Sequence, residues 1–199
     1  MKSGFVQDQW SMNGGRYTTV SGYEWLMGTQ IQVPWVPVVW NRLNVPKHSF
    51  IAWVYVEQRL LTKDRLCKFG MAVPTECDMC MVHPETHAHL FFECSYSRAC
   101  LDRVNEWLGV RIPVCEPIQW CLQLRYKSLM KKQVVFAAVC GLVYLIWWAR
   151  NKCRLEKVLT HPAILTQELQ KHVQIRYQNQ HWRGKDQRQG SWITQIGFS

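Results

Sequence analysis

Apolar positions along this chain recur mostly at three- and four-residue steps, and few segments alternate, so the pattern predicts a mainly α fold. Residues 1–16 are polar and read as a flexible leader. Ser21 and Glu24 have capping-box spacing for a short helix at Val20–Met27. A helical turn at Val38-Val39-Trp40 ends before Pro46. Lys47–Leu61 reads as the first strong helix, with Phe50, Trp53, Val54, Glu57 and Leu61 on one face and Tyr55 and Arg59 on the other. Thr62 caps a short helix, Lys63–Phe69, that Gly70 terminates and that Leu66 and Phe69 anchor. Ser95 caps Tyr96–Leu108, where Ala99, Val104, Trp107 and Leu108 form the stripe and Gly109 the stop. Pro113 and Pro117 mark a connector into a short helix at Ile118–Leu124. Ser128–Val158 is the longest candidate helix, and Pro162 opens a last amphipathic one with Ile164, Leu165, Leu169, Val173 and Ile175 apolar. These elements group into a leader (1–16), a small helical domain (17–110), a connector (111–127), a C-terminal helical segment (128–178) and a basic mobile tail (179–199).

The middle of the longest helix is apolar on every side. Val134–Ala149 is uncharged, and as a helix it would be about 24 Å long, short of the ~30 Å hydrocarbon core. A helix buried against several neighbours is therefore expected, rather than a membrane span.

Hydrophobic residues make up 48% of the 199 residues, enough for a core. The formal charge of +10 is uneven. Residues 42–68 and 150–188 are rich in Lys and Arg, whereas Glu76, Asp78, Glu85 and Glu93 crowd a short acidic stretch. Basic segments of this kind suit a polyanion such as RNA or DNA. Met1–Asn13 holds no apolar signal-peptide core, and the nine cysteines are an odd number in a chain of this length. A reducing, intracellular setting, nuclear or cytoplasmic rather than secreted, fits them better than a disulfide scaffold.

The densest chemistry is Cys77-Asp78-Met79-Cys80 followed by His89 and Cys94. Three thiolates and one imidazole close a tetrahedral Cys3His shell around one Zn2+, with no position left for a catalytic water. The first two cysteines have the spacing of a knuckle. A straight helix would set His89 and Cys94 about 140° apart, so the chain must bend between them, at Glu93-Cys94. Leu90, Phe91 and Phe92 would wedge this knuckle-like CCHC site against the helices. His87 and, less comfortably, His83 compete with His89 for the third place.

Around this cluster the residues take on a family pattern. The pattern comprises Trp40-Asn41, Pro46-Lys47-His48-Ser49-Phe50-Ile51-Ala52-Trp53, Leu61-Thr62-Lys63-Asp64-Arg65-Leu66, Cys77-x-x-Cys80, Glu85-Thr86, His89-Leu90-Phe91-Phe92 and Cys94. Together they resemble the zinc-binding domain of plant LINE-type (non-LTR) retrotransposon reverse transcriptases. Tyr17–Tyr23 is similar to that family's lead-in. Ile146-Trp147-Trp148-Ala149-Arg150-Asn151 resembles the helical segment that follows the domain in such elements. The resemblance implies zinc binding by Cys77, Cys80, His89 and Cys94, association with nucleic acid, and no catalysis by this segment.

Nothing in the residues points to an enzyme. There is no Tyr-x-Asp-Asp element, no set of carboxylates spaced for two divalent ions, no Gly-rich phosphate loop and no zinc-protease motif. The chain reads as the terminal, non-catalytic piece of a larger polyprotein, or as a gene descended from one. As nucleic-acid contacts the sequence offers Arg42, Lys47, Arg59, Lys63, Arg65 and Lys68 near the cluster, and Arg176, Arg183, Lys185 and Arg188 towards the end. A protein-interaction role, with other reverse transcriptase domains as partners and Trp10, Trp182 and Trp192 as anchors, is the alternative, and a vestigial fragment a third. No small-molecule substrate and no membrane is expected.

Overall fold

The structure is a computed structural model describing residues 33–114, 116–126, 128–180 and 190–198. The chain divides into two units, Met1–Val33 and Pro34–Ser199, and all described residues except Val33 lie in the second. The helix expected at Val20–Met27 and the lead-in at Tyr17–Tyr23 fall outside the described residues. The described part is mainly helical, as expected, with no strand; its one β-bridge pairs Glu76 with Pro84.

Helix α1 (Val36–Val39) buries Val38 and Val39. Its last carbonyls have no helical partner, and the Asn44 side chain supplies one, donating to Val38 O at 3.0 Å and Val39 O at 2.8 Å. Helix α2 (Pro46–Val56) opens on Pro46, whose fixed φ suits a first helical position. It stops well before Leu61, in a turn with Gln58 in the left-handed region (φ 52°).

The buried face of α2 is not the expected one. Phe50 and Leu61 are about half exposed, while His48, Ser49, Ala52 and Tyr55 are buried. The reason lies in helix α6 (Leu129–Glu156), against which α2 packs most extensively. Gly141 of α6 sits where an added Cβ would collide with Leu169 and come within 3.2 Å of His48 Nδ1. The missing side chain at Gly141 leaves room for His48 and Leu169, and Ser49 and Ala52 share the buried face of α2 with His48 while Phe50 turns out.

Helix α6 is the centre of the molecule. Every residue from Val134 to Val143 is buried. Its 28 residues are long and apolar enough to cross a membrane. Here they are instead sheathed by α1, α2, α4 (Ser95–Leu108), α5 (Pro117–Gln123) and α7 (Pro162–Gln178). Ser128 Oγ caps its start, accepting from Lys131 N at 3.2 Å. One apolar cluster runs from Val38 to Phe198, across the connector at 111–127.

Helix α7 buries Leu165, Leu169 and Val173, a single i, i+4, i+8 strip, and leaves Ile164 and Ile175 more than half exposed. Within the segment 179–199, residues 190–198 are described and pack on the helices. Helix α8 (Gly190–Gln195) is followed by buried Ile196 and Phe198. Trp107 Nε1 donates to Ile196 O at 3.0 Å, and Trp192 Nε1 to Leu108 O at 3.1 Å. Trp192 is thus half-buried packing rather than a free anchor.

At the α2–α6–α7 crossing, the His48 ring lies 4.7 Å from Tyr144 and 5.1 Å from His172. Burial, then His172 and Lys47, push its pKa down to about 3. Above the ordinary value of 6.5 both folded and unfolded states hold a neutral ring. Below it the unfolded ring binds a proton that the folded ring refuses, so this contribution to stability is lost as pH falls from 6.5 towards about 3. His48→Gln removes that one contribution. The melting-temperature advantage of wild type over the variant is expected to shrink between about pH 7.5 and about pH 5.5. A constant difference across that range would contradict the reading.

Candidate metal centre

Helix α3 (Lys63–Lys68) leads into a small hairpin. Glu85 N donates to Thr75 O at 2.7 Å and Cys77 N to His83 O at 2.8 Å, closing the two arms. At its tip Met81 N donates to Cys77 O at 2.9 Å, and Met81 takes a left-handed backbone (φ 56°) to turn the chain after Cys80. Cys77 and Cys80 thereby face one side.

The second pair is set by a widened turn. His89–Glu93 is π-helical, and Cys94 N donates to His89 O at 2.8 Å, a five-residue step. An α turn would leave His89 and Cys94 on different faces; one extra residue per turn brings them back together. The expected bend at Glu93-Cys94 is present as well, since Cys94 has an extended backbone (φ −62°, ψ 132°). Cys94, not Ser95, holds the N-cap position of α4.

The ligand atoms of Cys77, Cys80, His89 and Cys94 all lie within 4.8 Å of one another. Cys80 Sγ is 3.3 Å from His89 Nε2, and Cys77 Sγ is 4.0 Å from Cys94 Sγ. A zinc tetrahedron with ~2.3 Å metal–sulfur bonds has S···S edges of about 3.8 Å, so spacing and donor type both fit the ion. The competing histidines stand apart. His87 stacks on Tyr55 at 4.7 Å, and exposed His83 sets its ring edge-on to His89 at 5.5 Å.

Electrostatics favour the ligating forms at two positions. Burial, then His83, lowers the His89 pKa and keeps its ring neutral. The hydrogen bond shared with Cys77, then the Ser97 and Tyr96 amides at the start of α4, lower the Cys94 pKa. Cys77 is pushed up by the same hydrogen bond and by burial, so metal binding must displace its proton.

A buried frame holds the hairpin. Glu85 is 1% and Arg150 3% exposed. Arg150 Nε donates to Glu85 Oε1 at 3.1 Å and Oε2 at 3.0 Å, and Arg150 Nη2 donates to the same carboxylate. Lys63 N donates to Glu85 Oε1 at 3.0 Å. The Arg150 guanidinium lies 4.9 Å from the Trp147 ring centre, and its Nη1 donates to Asn151 Oδ1 at 2.8 Å. Cys153 Sγ, also on α6, donates to Asp78 O at 3.1 Å. Leu90 and Phe91 are buried and Phe92 half-buried, the expected wedge. Neither Glu85 nor Arg150 figures among the site residues read from sequence. The signal for them was the pairing of Glu85-Thr86 with Arg150-Asn151, two motif fragments far apart in the chain.

The sequence-predicted cations scatter. Lys63 is a correction: only 4% exposed, it donates to Glu76 O and, at 2.9 Å, to Asp78 Oδ1. It steadies the knuckle and is closed to a nucleic acid. Lys68 pairs with Asp64 at 3.7 Å, and Arg65 Nη1 donates to Gln58 O at 2.7 Å. Arg59 is exposed. Lys47 sits 5.0 Å over the Tyr144 ring. Arg42 donates to Gln133 Oε1 at 2.8 Å, and Arg176 to Arg42 O at 2.8 Å. Arg183, Lys185, Arg188, Trp10 and Trp182 lie outside the described residues.

Three thiols and an imidazole converging from a hairpin and a helix start make a closed Cys3His donor set. Residues 17–100 match the family model described as zinc-binding in reverse transcriptase. That model describes a zinc-binding accessory domain, not a catalytic one. No curated protein and no solved structure matches the chain. The match stops short of Arg150, the residue that holds Glu85 within it.

Removing Arg150 leaves a buried carboxylate unpaired. Arg150→Met is expected to destabilise the protein by about 3–5 kcal/mol in denaturant titration and to weaken zinc binding about 10–100-fold in a chelator competition. Arg150→Lys keeps the charge but not the fork, and should recover part of both. Wild-type zinc affinity in Arg150→Met would contradict the role given to the pair.

Proposed function

We propose that the chain is a non-catalytic module that holds one structural Zn2+ with Cys77, Cys80, His89 and Cys94 and binds RNA or DNA through its basic surface. The observation that carries the metal assignment is the convergence of four soft or borderline ligand atoms within 4.8 Å. A shell completed by four protein ligands orders a fold and leaves no place for a reacting water. The nucleic-acid reading is supported by the +10 charge and by the family whose model residues 17–100 match. Origin from a LINE-type retroelement of a plant, and function beside other reverse transcriptase domains, belong to the same reading. A reducing compartment, nuclear or cytoplasmic, suits ligating thiols.

A second reading, a protein-interaction scaffold, is favoured by the apolar surface at the knuckle tip. Met81 is 71% and Val82 69% exposed there.

Metal analysis of purified protein is expected to return about one zinc per chain, and Cys77→Ser/Cys80→Ser to abolish it. Zinc-free wild type, or unchanged zinc in the double variant, would overturn the metal assignment. A fluorescent oligonucleotide should bind with affinity that falls steeply as salt rises. No binding at low ionic strength would leave the scaffold reading in its place.

A further inference from the structure

Helix α6 separates two ends of opposite character. From Lys131 to Arg150 it rises about 28 Å. The candidate metal centre lies at the Arg150 end, with Glu57, Asp64, Glu76, Asp78, Glu85 and Glu93 on the chain around it. Two of the cations there are paired, Lys63 with Asp78 and Lys68 with Asp64. At the Lys131 end three elements converge. Arg42 comes from the α1–α2 corner and bonds Gln133; Arg176 comes from the last turns of α7 and bonds Arg42 O. Lys131 and Lys132 lie in the first turn of α6. Arg125 is exposed beside Tyr126, whose ring lies 5.1 Å from Lys131 Nζ. Residues 33–47, 128–142 and 169–178 contain no Asp or Glu.

Arg42, Arg125, Lys131, Lys132 and Arg176 gathered at one end form a surface that attracts a polyanion. An aromatic lies beside it. Trp40 is 53% exposed, two residues before Arg42, and the intervening Asn41 ties the corner to α6 by donating to Gln133 O at 2.7 Å. Cations for phosphates and an open aromatic face for a base are the two parts of a single-strand binding surface.

We infer that the nucleic-acid surface is this basic pole, formed by Arg42, Arg125, Lys131, Lys132 and Arg176 with Trp40, and that it takes a single-stranded chain far from the metal. This rests on the nucleic-acid reading above. It also assigns the zinc end no phosphate contacts, although the sequence directed attention there.

The test uses the full zinc-loaded chain and a fluorescent single-stranded oligonucleotide of about 20 nucleotides, titrated at several salt concentrations. Lys131→Glu/Lys132→Glu/Arg176→Glu should weaken binding more than tenfold and lower the salt slope by about 2, at about 0.7 per lost phosphate contact. Trp40→Ala should weaken it about tenfold, and Arg59→Glu/Lys68→Glu less than about twofold. Zinc content and circular dichroism confirm folding. If the reversal misfolds, the milder Lys132→Gln/Arg176→Gln must still lower affinity and slope. Wild-type binding by the pole variants, with loss in the zinc-end variant, overturns the inference and leaves the nucleic-acid reading standing. So does binding to phosphatidylserine vesicles that the pole variants abolish while oligonucleotide binding survives. Failure of wild type to bind any oligonucleotide removes the underlying reading itself.

Discussion

The ion pair between Glu85 and Arg150 joins everything else in this fold. Glu85 sits on the returning arm of the hairpin that carries Cys77 and Cys80; Arg150 sits on the helix around which all the other long helices pack. Both are almost wholly buried. A carboxylate in that position is tolerable only if its lone pairs are used, and here they meet the guanidinium fork and the first amide of α3. A hydrophobic pair could fill the space at similar stability. It could not fix direction: the fork accepts the carboxylate in one orientation, so the hairpin has one way to sit on α6. Lys63 and Cys153 repeat the constraint a few ångströms away, by holding Asp78 from two sides.

That orientation is what gives the ligand atoms their spacing. The hairpin delivers two thiols, and the widened turn after Thr86 delivers an imidazole and a third thiol. Neither pair closes a site alone. Leu90 and Phe91, buried between them and α6, keep the second pair in place while the ion pair keeps the first. A metal ion bound here would cross-link two segments that are already positioned by the same helix. Its binding free energy would then enter the stability of α6 and not only that of the hairpin.

Much of this was legible in the sequence. The starts of α2, α6 and α7 follow from Pro46, Ser128 and Pro162, because capping and proline geometry are local, whereas Thr62 holds the N-cap position of α3 with its hydroxyl donated to Asp64 Oδ1 instead of capping an amide. The cluster itself follows from ligand type and spacing. What was not legible depends on partners. The inward face of α2 is set by its packing on α6, where Gly141, far along the chain, leaves room for the His48 ring. Lys63 looks like a surface charge until the hairpin folds Asp78 over it. The π turn has no sequence signature; it is the solution to placing His89 and Cys94 together. The end of the chain reads as polar and basic, yet Ile193, Ile196 and Phe198 find a groove beside Trp107 that only the assembled helices create.

The central claim is that the metal site and the Arg150 end of α6 form one cooperative unit, with the segment beyond the matched family region completing the site. Amide hydrogen exchange of the zinc-loaded protein, compared with the same protein after chelation, tests this most directly. The account predicts that protection falls together in the hairpin, in the turn at His89–Glu93 and in α6 around Arg150 and Cys153. Loss of protection confined to the hairpin and that turn, with the Arg150 end of α6 as protected as before, would contradict it.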